Sequence, residues 1–364
     1  MRTFLVVCLS LIIASTLFSA ATGNSAAIPD GSPGSPNFGY GARLDPSGDQ
    51  VEVAIKISGQ FALDWIAIEF DWANLQPKST IPPDWETLDN VIMQARENHL
   101  AVMMSISDPP NWAITQIGPD PLLTTSLCRE LVQRYSNTLQ ALEIFPGANT
   151  IEGWGTQPNP KNYTTLLKSI HNSFEKKNAG VVLVAGGLLP ITEKKPSGSI
   201  DDLIFLEGLY TSGAAPFMPI VGIQLPSISA NPTTPPDPKQ GITLRHYEAI
   251  RNIMLENNHQ SGLIWVTGFS WNSQMIDSSE EQALWIKQAY LMMRRQLYIG
   301  AAFFQNLNPS SHHSQEISLV NLNADLHPGF DAIGQIIAEE NSSQTITFEW
   351  TVAENNFPQP IPNR

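Results

Sequence analysis

Short apolar runs alternate along this chain with longer stretches in which apolar residues recur every three or four positions. Candidate strands begin at Phe38, Trp65, Leu100, Leu139, Val181, Met218, Leu263 and Ala301. Their runs are continuously apolar instead of alternating, which is the texture of strands covered on both faces. Between them lie helical stripes. Tyr163, Leu166, Leu167, Ile170 and Phe174 fall on one helical face, as do Ile286, Ala289, Tyr290, Met293 and Leu297. Ser279 and Gln282 offer a capping box ahead of the second stripe. A further stripe, Leu88, Val91, Ile92 and Ala95, leads into the run "LAVMMSI".

Eight strand-then-helix units of this kind predict an α/β fold, a single-domain (β/α)8 TIM barrel with helices outside a closed parallel sheet. A doubly wound open sheet is the rival. It more often carries a glycine-rich phosphate loop after its first strand, and "FGYGARLDPSG" has no G-x-G-x-x-G. The barrel is expected over residues 38–340, preceded by the Pro/Gly/Ser-rich "IPDGSPGSPN" at 28–37, read as a flexible spacer. Residues 341–364 form a C-terminal extension whose "QTITFEWTV" alternates like a strand. The insert "LPSISANPTTPPDPKQG", Leu225 to Gly241, follows the sixth strand and is expected as an irregular loop on the face where barrel sites form.

Residues 1–27 read as a signal peptide: Arg2, an apolar core from Phe4 to Phe18, and small residues at Ser19, Ala20 and Ala21. Secretion is the expectation, and membrane attachment follows only if this segment is not cleaved. Cleavage leaves Cys128 alone, with no internal disulfide partner, and it reads as a buried helix residue. With 20 basic against 34 acidic residues, the net charge of −14 opposes nucleic acid and anionic lipid as partners. Hydrophobic residues at 42% and charged residues at 15% supply a sizeable core. The sequons at Asn162 and Asn341 carry little weight.

No metal or other cofactor is expected, since the adjacent pair His312 and His313 has no ligand spacing around it. No G-x-S-x-G elbow marks a serine hydrolase. The chemistry should lie at the C-terminal strand ends, and there the pieces "DWIAIEFDWANLQP", "LAVMMSISDPPNWA", "VVLVAGGLLP", "GLIWVTGFSW" and "AAFFQNLNP", together with "FGYGARLDPSG" and "ISLVNLNADLHPGFDAI", bear a combined likeness. From Phe38 to about Ile337 the chain resembles the clan A retaining glycoside hydrolases, near the β-xylosidase-like and endoglycanase-like members.

That resemblance implies two glutamates. One, in a Trp-Asn-Glu-Pro-Asn type motif after strand 4, protonates the leaving oxygen. The other, in a Trp-Val-Thr-Glu-Phe-Gly type motif on strand 7, attacks the anomeric carbon and faces the first carboxyl from about 5 Å away. Carried onto "EIFPGAN", the acid/base position is Gly147; carried onto "GLIWVTGFSW", the nucleophile position is Gly268. Both carboxylates are absent. Neighbouring positions depart too, with Gln224 and Leu225 after strand 6 and Gln305 on strand 8.

Among remaining acids, Glu152 is a possible substitute, although a solvated loop carboxylate is its plainer reading. Glu143 is expected to point into the barrel. Glu69, Asp71 and Asp108 stand at strand ends, and Asp71 and Asp108 read first as loop caps or hydrogen-bond acceptors. As ligand-binding candidates the sequence offers Trp72, Trp112, Asn149, Trp154, Gln224, Trp271 and Gln305, with stacking of indoles on sugar rings balanced against capping of the barrel core. Three functions stay open: a non-catalytic barrel that binds a glycan or a cell-surface protein, an active glycosidase with relocated acids, and a protein whose cleft is no longer used.

Overall fold

The computed structural model describes residues 28–175, 180–191, 198–236, 241–310 and 316–354, with side chains followed to residue 342 in the last helix. The expected signal segment, the pair His312 and His313, and the end of the C-terminal extension lie outside the described residues. Eight parallel strands close a barrel: β1 (Gly39–Leu44), β2 (Trp65–Asp71), β3 (Ala101–Ser107), β4 (Leu139–Ile144), β5 (Val182–Leu188), β6 (Ile220–Ile228), β7 (Leu263–Trp271) and β8 (Ile299–Phe304). Closure comes from β1 pairing with both β2 and β8, as in Gly41 opposite Trp65 and Gly39 opposite Ala301. The predicted (β/α)8 barrel is therefore the observed fold, and each predicted strand start lies within two residues of the observed one.

Eight helices surround the sheet: α1 (Val51–Gln60), α2 (Glu86–Glu97), α3 (Pro121–Arg134), α4 (Pro160–Glu175), α5 (Asp202–Thr211), α6 (Tyr247–Glu256), α7 (Ser279–Arg294) and α8 (Pro328–Glu354). The predicted stripes are buried on α2, α4 and α7. Leu297 is the exception. The α7 helix ends at Arg294, so Leu297 falls in the turn before β8 and is exposed. The α7 cap also sits one residue earlier than predicted, where Ser278 Oγ accepts the Glu281 amide at 3.1 Å. Tyr290 stitches α7 to the sheet, its hydroxyl donating to Gly41 O at 2.6 Å and accepting from Phe304 N at 3.2 Å.

The stretch "QTITFEWTV" is helical, not a strand, because it continues α8. Pro328 starts that helix, and no glycine or proline interrupts the chain from there to Glu354 after Gly334. A helix already nucleated and packed on α7 outweighs the weak strand preference of its β-branched residues. The same helix crosses the expected boundary at 340 without a break.

Inside the barrel, Trp65, Trp265 and Phe303 form an aromatic layer, with Trp65 and Trp265 edge-to-face at 5.1 Å. Glycine at 41 makes room for it, since a β-carbon there would lie 2.5 Å from the Phe303 ring. Both indoles reach the N-terminal segment: Trp65 Nε1 donates to Asp30 O at 2.6 Å and Trp265 Nε1 to Gly31 O at 2.9 Å. Residues 28–37 thus form an ordered plug under the barrel in place of the expected flexible spacer. A buried indole N–H needs a partner, and the plug's carbonyls supply it. No helix among the described residues is long and apolar enough to cross a membrane.

Candidate functional site

A cleft of about 510 Å³ opens at the C-terminal face of the barrel, over β1, β2, β3 and β8. Strand alternation builds it. On β2, Glu69 and Asp71 follow Trp65 and Ala67 on the inward face, and the end of β3 brings Asp108 beside them. Asp71 caps the single turn Trp72–Leu75, accepting the Asn74 amide at 2.9 Å, while Ala73 N donates to Asp108 O at 2.8 Å. The second of these bonds ties the β2 and β3 loops together.

Opposite stand Gln305, Asn306 and Asn308. Asn308 is structural: its amide accepts Asp45 N at 2.9 Å and donates to Asp45 O and Asp49 O at 3.0 and 2.9 Å. The five carboxylates lining the cleft, Asp45, Glu69, Asp71, Asp84 and Asp108, all come from the segments that follow β1, β2 and β3 or from β2 itself. Burial, then the charges of Asp71 and Glu69, push the Asp108 carboxyl above the usual carboxylate range.

Arg43 lines the cleft floor and joins it to a polar layer beneath, which the sequence reading missed in part. Arg43 Nη1 donates to Ser105 Oγ at 3.2 Å and to Thr267 O at 3.1 Å, and lies 3.6 Å from Glu143 Oε2. Ser105 Oγ in turn donates to Glu143 Oε2 at 2.5 Å. Glu143 points into the barrel and is fully buried. The Thr267 hydroxyl stands beside it and donates to Ile223 O at 3.3 Å. Burial pushes the Glu143 carboxyl up, opposed by the Arg43 charge and by the Ser105 and Thr267 hydroxyls. The signal for Arg43 was available: glycines at 39 and 41 place residue 43 on the same inward face.

The two glycines at expected carboxylate positions differ in geometry. Gly268 lies on β7, and a β-carbon there would project into the barrel mouth, 3.3 Å from Arg43 Cδ and in collision with Gln305 Oε1. Gly147 sits in a left-handed conformation at φ +71°, where a β-carbon would meet Leu189 Cδ1 at 2.9 Å. Its amide donates to Gly187 O at 2.9 Å, so the loop after β4 is bound down onto β5. Glu152 is exposed on the turn Ile151–Trp154 and does not line the cleft.

The aromatic candidates do not meet in the cleft. Trp72 and Trp154 are 1% exposed and Trp271 is 0% exposed, so none has a free face for a sugar ring. Their indole N–H groups bond Gln76 Oε1, Ile117 O and Ala230 O. Trp112 is partly buried edge-on to Trp72 at 5.4 Å and donates to Gln76 O. Trp72, Trp154 and Trp271 belong to the packed core, each with its indole N–H bonded to a protein oxygen. Asn149 is fully buried too, holding Leu189 and Ile200 through three side-chain bonds. Gln224 pairs with Gly268 across β6 and β7 but does not line the cleft; of the predicted ligand-binding residues, Gln305 does. Among the described residues no group of His, Cys, Asp and Glu has the geometry of a metal site.

No protein-family model matches the chain, and no curated protein matches it by sequence. Solved structures do match it in fold, among them clan A glycoside hydrolases. A family 39 glycoside hydrolase from Bacteroides cellulosilyticus WH2 superposes with a TM-score of 0.60 at 16% identity, over 82% of this chain and 62% of that one. A GH5_18 structure from Streptomyces cattleya in complex with GlcNAc gives 0.57 at 13% identity, over 89% and 82%. The exo-beta-1,4-mannosidase Op5Man5 from Opitutaceae bacterium strain TAV5 gives 0.59 at 11% identity, over 84% and 60%. The chain thus spans less than two thirds of the first and last of these. At such identities the likeness establishes a glycosidase-like barrel fold.

Proposed function

We propose that this protein is a secreted, glycoside-hydrolase-like barrel that binds carbohydrate in its C-terminal cleft without cleaving it. The observation that carries this reading is the arrangement around Gly268. Retaining hydrolysis needs an acid on one side of the glycosidic bond and a facing carboxylate about 5 Å away. Here the β7 end offers only Gly268, with the amide of Gln305 in the space beside it, and every carboxylate of the cleft stands on the β1–β3 side. Glu143, the nearest acid on β4, is sealed below the floor beside Arg43. The amides of Gln305 and Asn306 and the carboxylates of Glu69 and Asp71 suit hydrogen bonding to sugar hydroxyls.

A second reading rests on Asp108. A carboxyl raised by burial and by two neighbouring carboxylates is how acid and base roles are divided within one site, so an active glycosidase using Asp108 with Glu69 or Asp71 is the competing function. The two separate in one experiment. A glycan array followed by calorimetry on the hits, run beside reducing-sugar release from the same glycans, should show binding without release. Release that disappears in Asp108→Asn would establish the second reading and overturn the first.

A further inference from the structure

The cleft holds more negative charge than its own cation offsets. Five carboxylates line it, and Arg43 is the one basic side chain beside them among the described residues. Arg43 is committed below the floor, where its Nη1 donates to Ser105 Oγ and Thr267 O and lies 3.6 Å from Glu143 Oε2. Glu69, Asp71 and Asp108 make no ion pair among the described residues. Strand register brings these three together. Glu69 stands opposite Ser105 and Asp71 opposite Ser107 across β2 and β3, and Asp108 follows Ser107 directly. Asp71 accepts the Asn74 amide at 2.9 Å, whereas Glu69 is exposed and accepts no hydrogen bond among the described residues.

Two independent features point to a ligand. The Arg43 side chain is only 9% exposed yet reaches the cleft floor, and its remaining N–H groups find no acceptor among the described residues. A guanidinium held so far from water calls for an oxygen there. No aromatic side chain among the described residues lines the cleft, so a sugar ring has no stacking face and is held by polar and charged groups. The acids also lack the geometry of a metal site among the described residues, so the cation that suits them is organic and reaches them separately.

On the carbohydrate-binding reading of this cleft, on which the inference rests, we propose that it selects an amino sugar with a free amine. The ammonium group lies between Glu69, Asp71 and Asp108, and Arg43 donates to a hydroxyl of the same ring. Carboxylates on one wall give an ammonium charge-assisted hydrogen bonds. An acetylated amine gains no charge partner there, and a uronic acid meets like charge. A polyamine satisfies the acids but offers Arg43 no acceptor.

Calorimetry on the full chain with glucosamine and N-acetylglucosamine oligomers of equal length tests the choice. The amine oligomer should bind about tenfold tighter or more, the worth of one charge-assisted bond, and lose that margin as salt rises. Glu69→Gln and Asp108→Asn should each weaken the amine oligomer about tenfold and leave the acetylated one unmoved. Equal affinity for the two oligomers overturns the amino-sugar inference and leaves carbohydrate binding standing. Spermidine bound as tightly as the amine oligomer overturns it as well, since the sugar ring is then not read. If neither oligomer binds while a neutral glycan does, the amino-sugar inference alone falls; if no glycan binds, carbohydrate binding falls with it.

Discussion

The side-chain oxygen of Gln305 occupies the space into which a β-carbon on Gly268 would project. In the proposed reading residue 268 is where a retaining glycosidase would carry its nucleophile, and the residue just past β8 takes up that space. The contact is with the far end of a flexible side chain, and Arg43 Cδ stands next, 3.3 Å away.

Gly268→Glu should therefore fold, at an overpacking cost of about 1–3 kcal/mol. Gln305→Ala in the same chain should recover much of it. Urea unfolding of the two single variants and the double variant measures the coupling directly. Strict additivity would mean that the two residues do not share this space.

Gly147→Glu behaves differently. At φ +71° a side chain costs about 1–2 kcal/mol before any clash, and the Leu189 methyl lies 2.9 Å from the new β-carbon. The variant should be less stable than Gly268→Glu plus Gln305→Ala, and no hydrolysis should accompany it, because the β4 loop turns toward β5 there. A left-handed backbone cannot be read from one sequence, which is why substituting at 147 looks simple until φ is known.

Glu143→Ala should be the most damaging change under the cleft. It leaves Arg43 in the barrel without its countercharge, a loss of about 3–5 kcal/mol for a broken buried pair. Glu143→Gln keeps an acceptor for Ser105 Oγ and should lose less. Equal losses would assign the effect to the charge, which both substitutions remove, instead of to packing and the Ser105 bond.

Asp108 gives a pH-dependent contrast. Its carboxyl is raised on folding by burial and by Asp71 and Glu69, so ionisation above that raised value costs stability. Asp108→Asn should raise the melting temperature at neutral pH, and the gain should shrink as pH falls and the wild-type carboxyl becomes protonated. Asparagine also tolerates the left-handed backbone at φ +45°. A melting temperature that falls at neutral pH would contradict the repulsion among the three carboxylates.

The barrel was legible because its strands and helix stripes follow from periodicity, and a strand buried on both faces admits few alternatives. Glu143 pointing inward and Cys128 buried on α3 were legible for the same reason. The aromatic candidates were not, because strand-end position alone does not tell whether a loop folds over an indole. Trp271 lies under Ala230 from the loop after β6, and no local pattern announces that contact. The plug is illegible for a similar reason: "IPDGSPGSPN" has the composition of a linker, and only Trp65 and Trp265 inside the barrel give its carbonyls a purpose.

The central claim is that the cleft binds without cleaving. The measurement closest to it is reducing-end release from a panel of plant and microbial polysaccharides by the purified protein, in parallel with Asp108→Asn and Glu69→Gln. The account predicts release at the level of a no-protein control for all three proteins, with calorimetric binding retained by the wild type on at least one glycan. Release by the wild type that either substitution abolishes would contradict it.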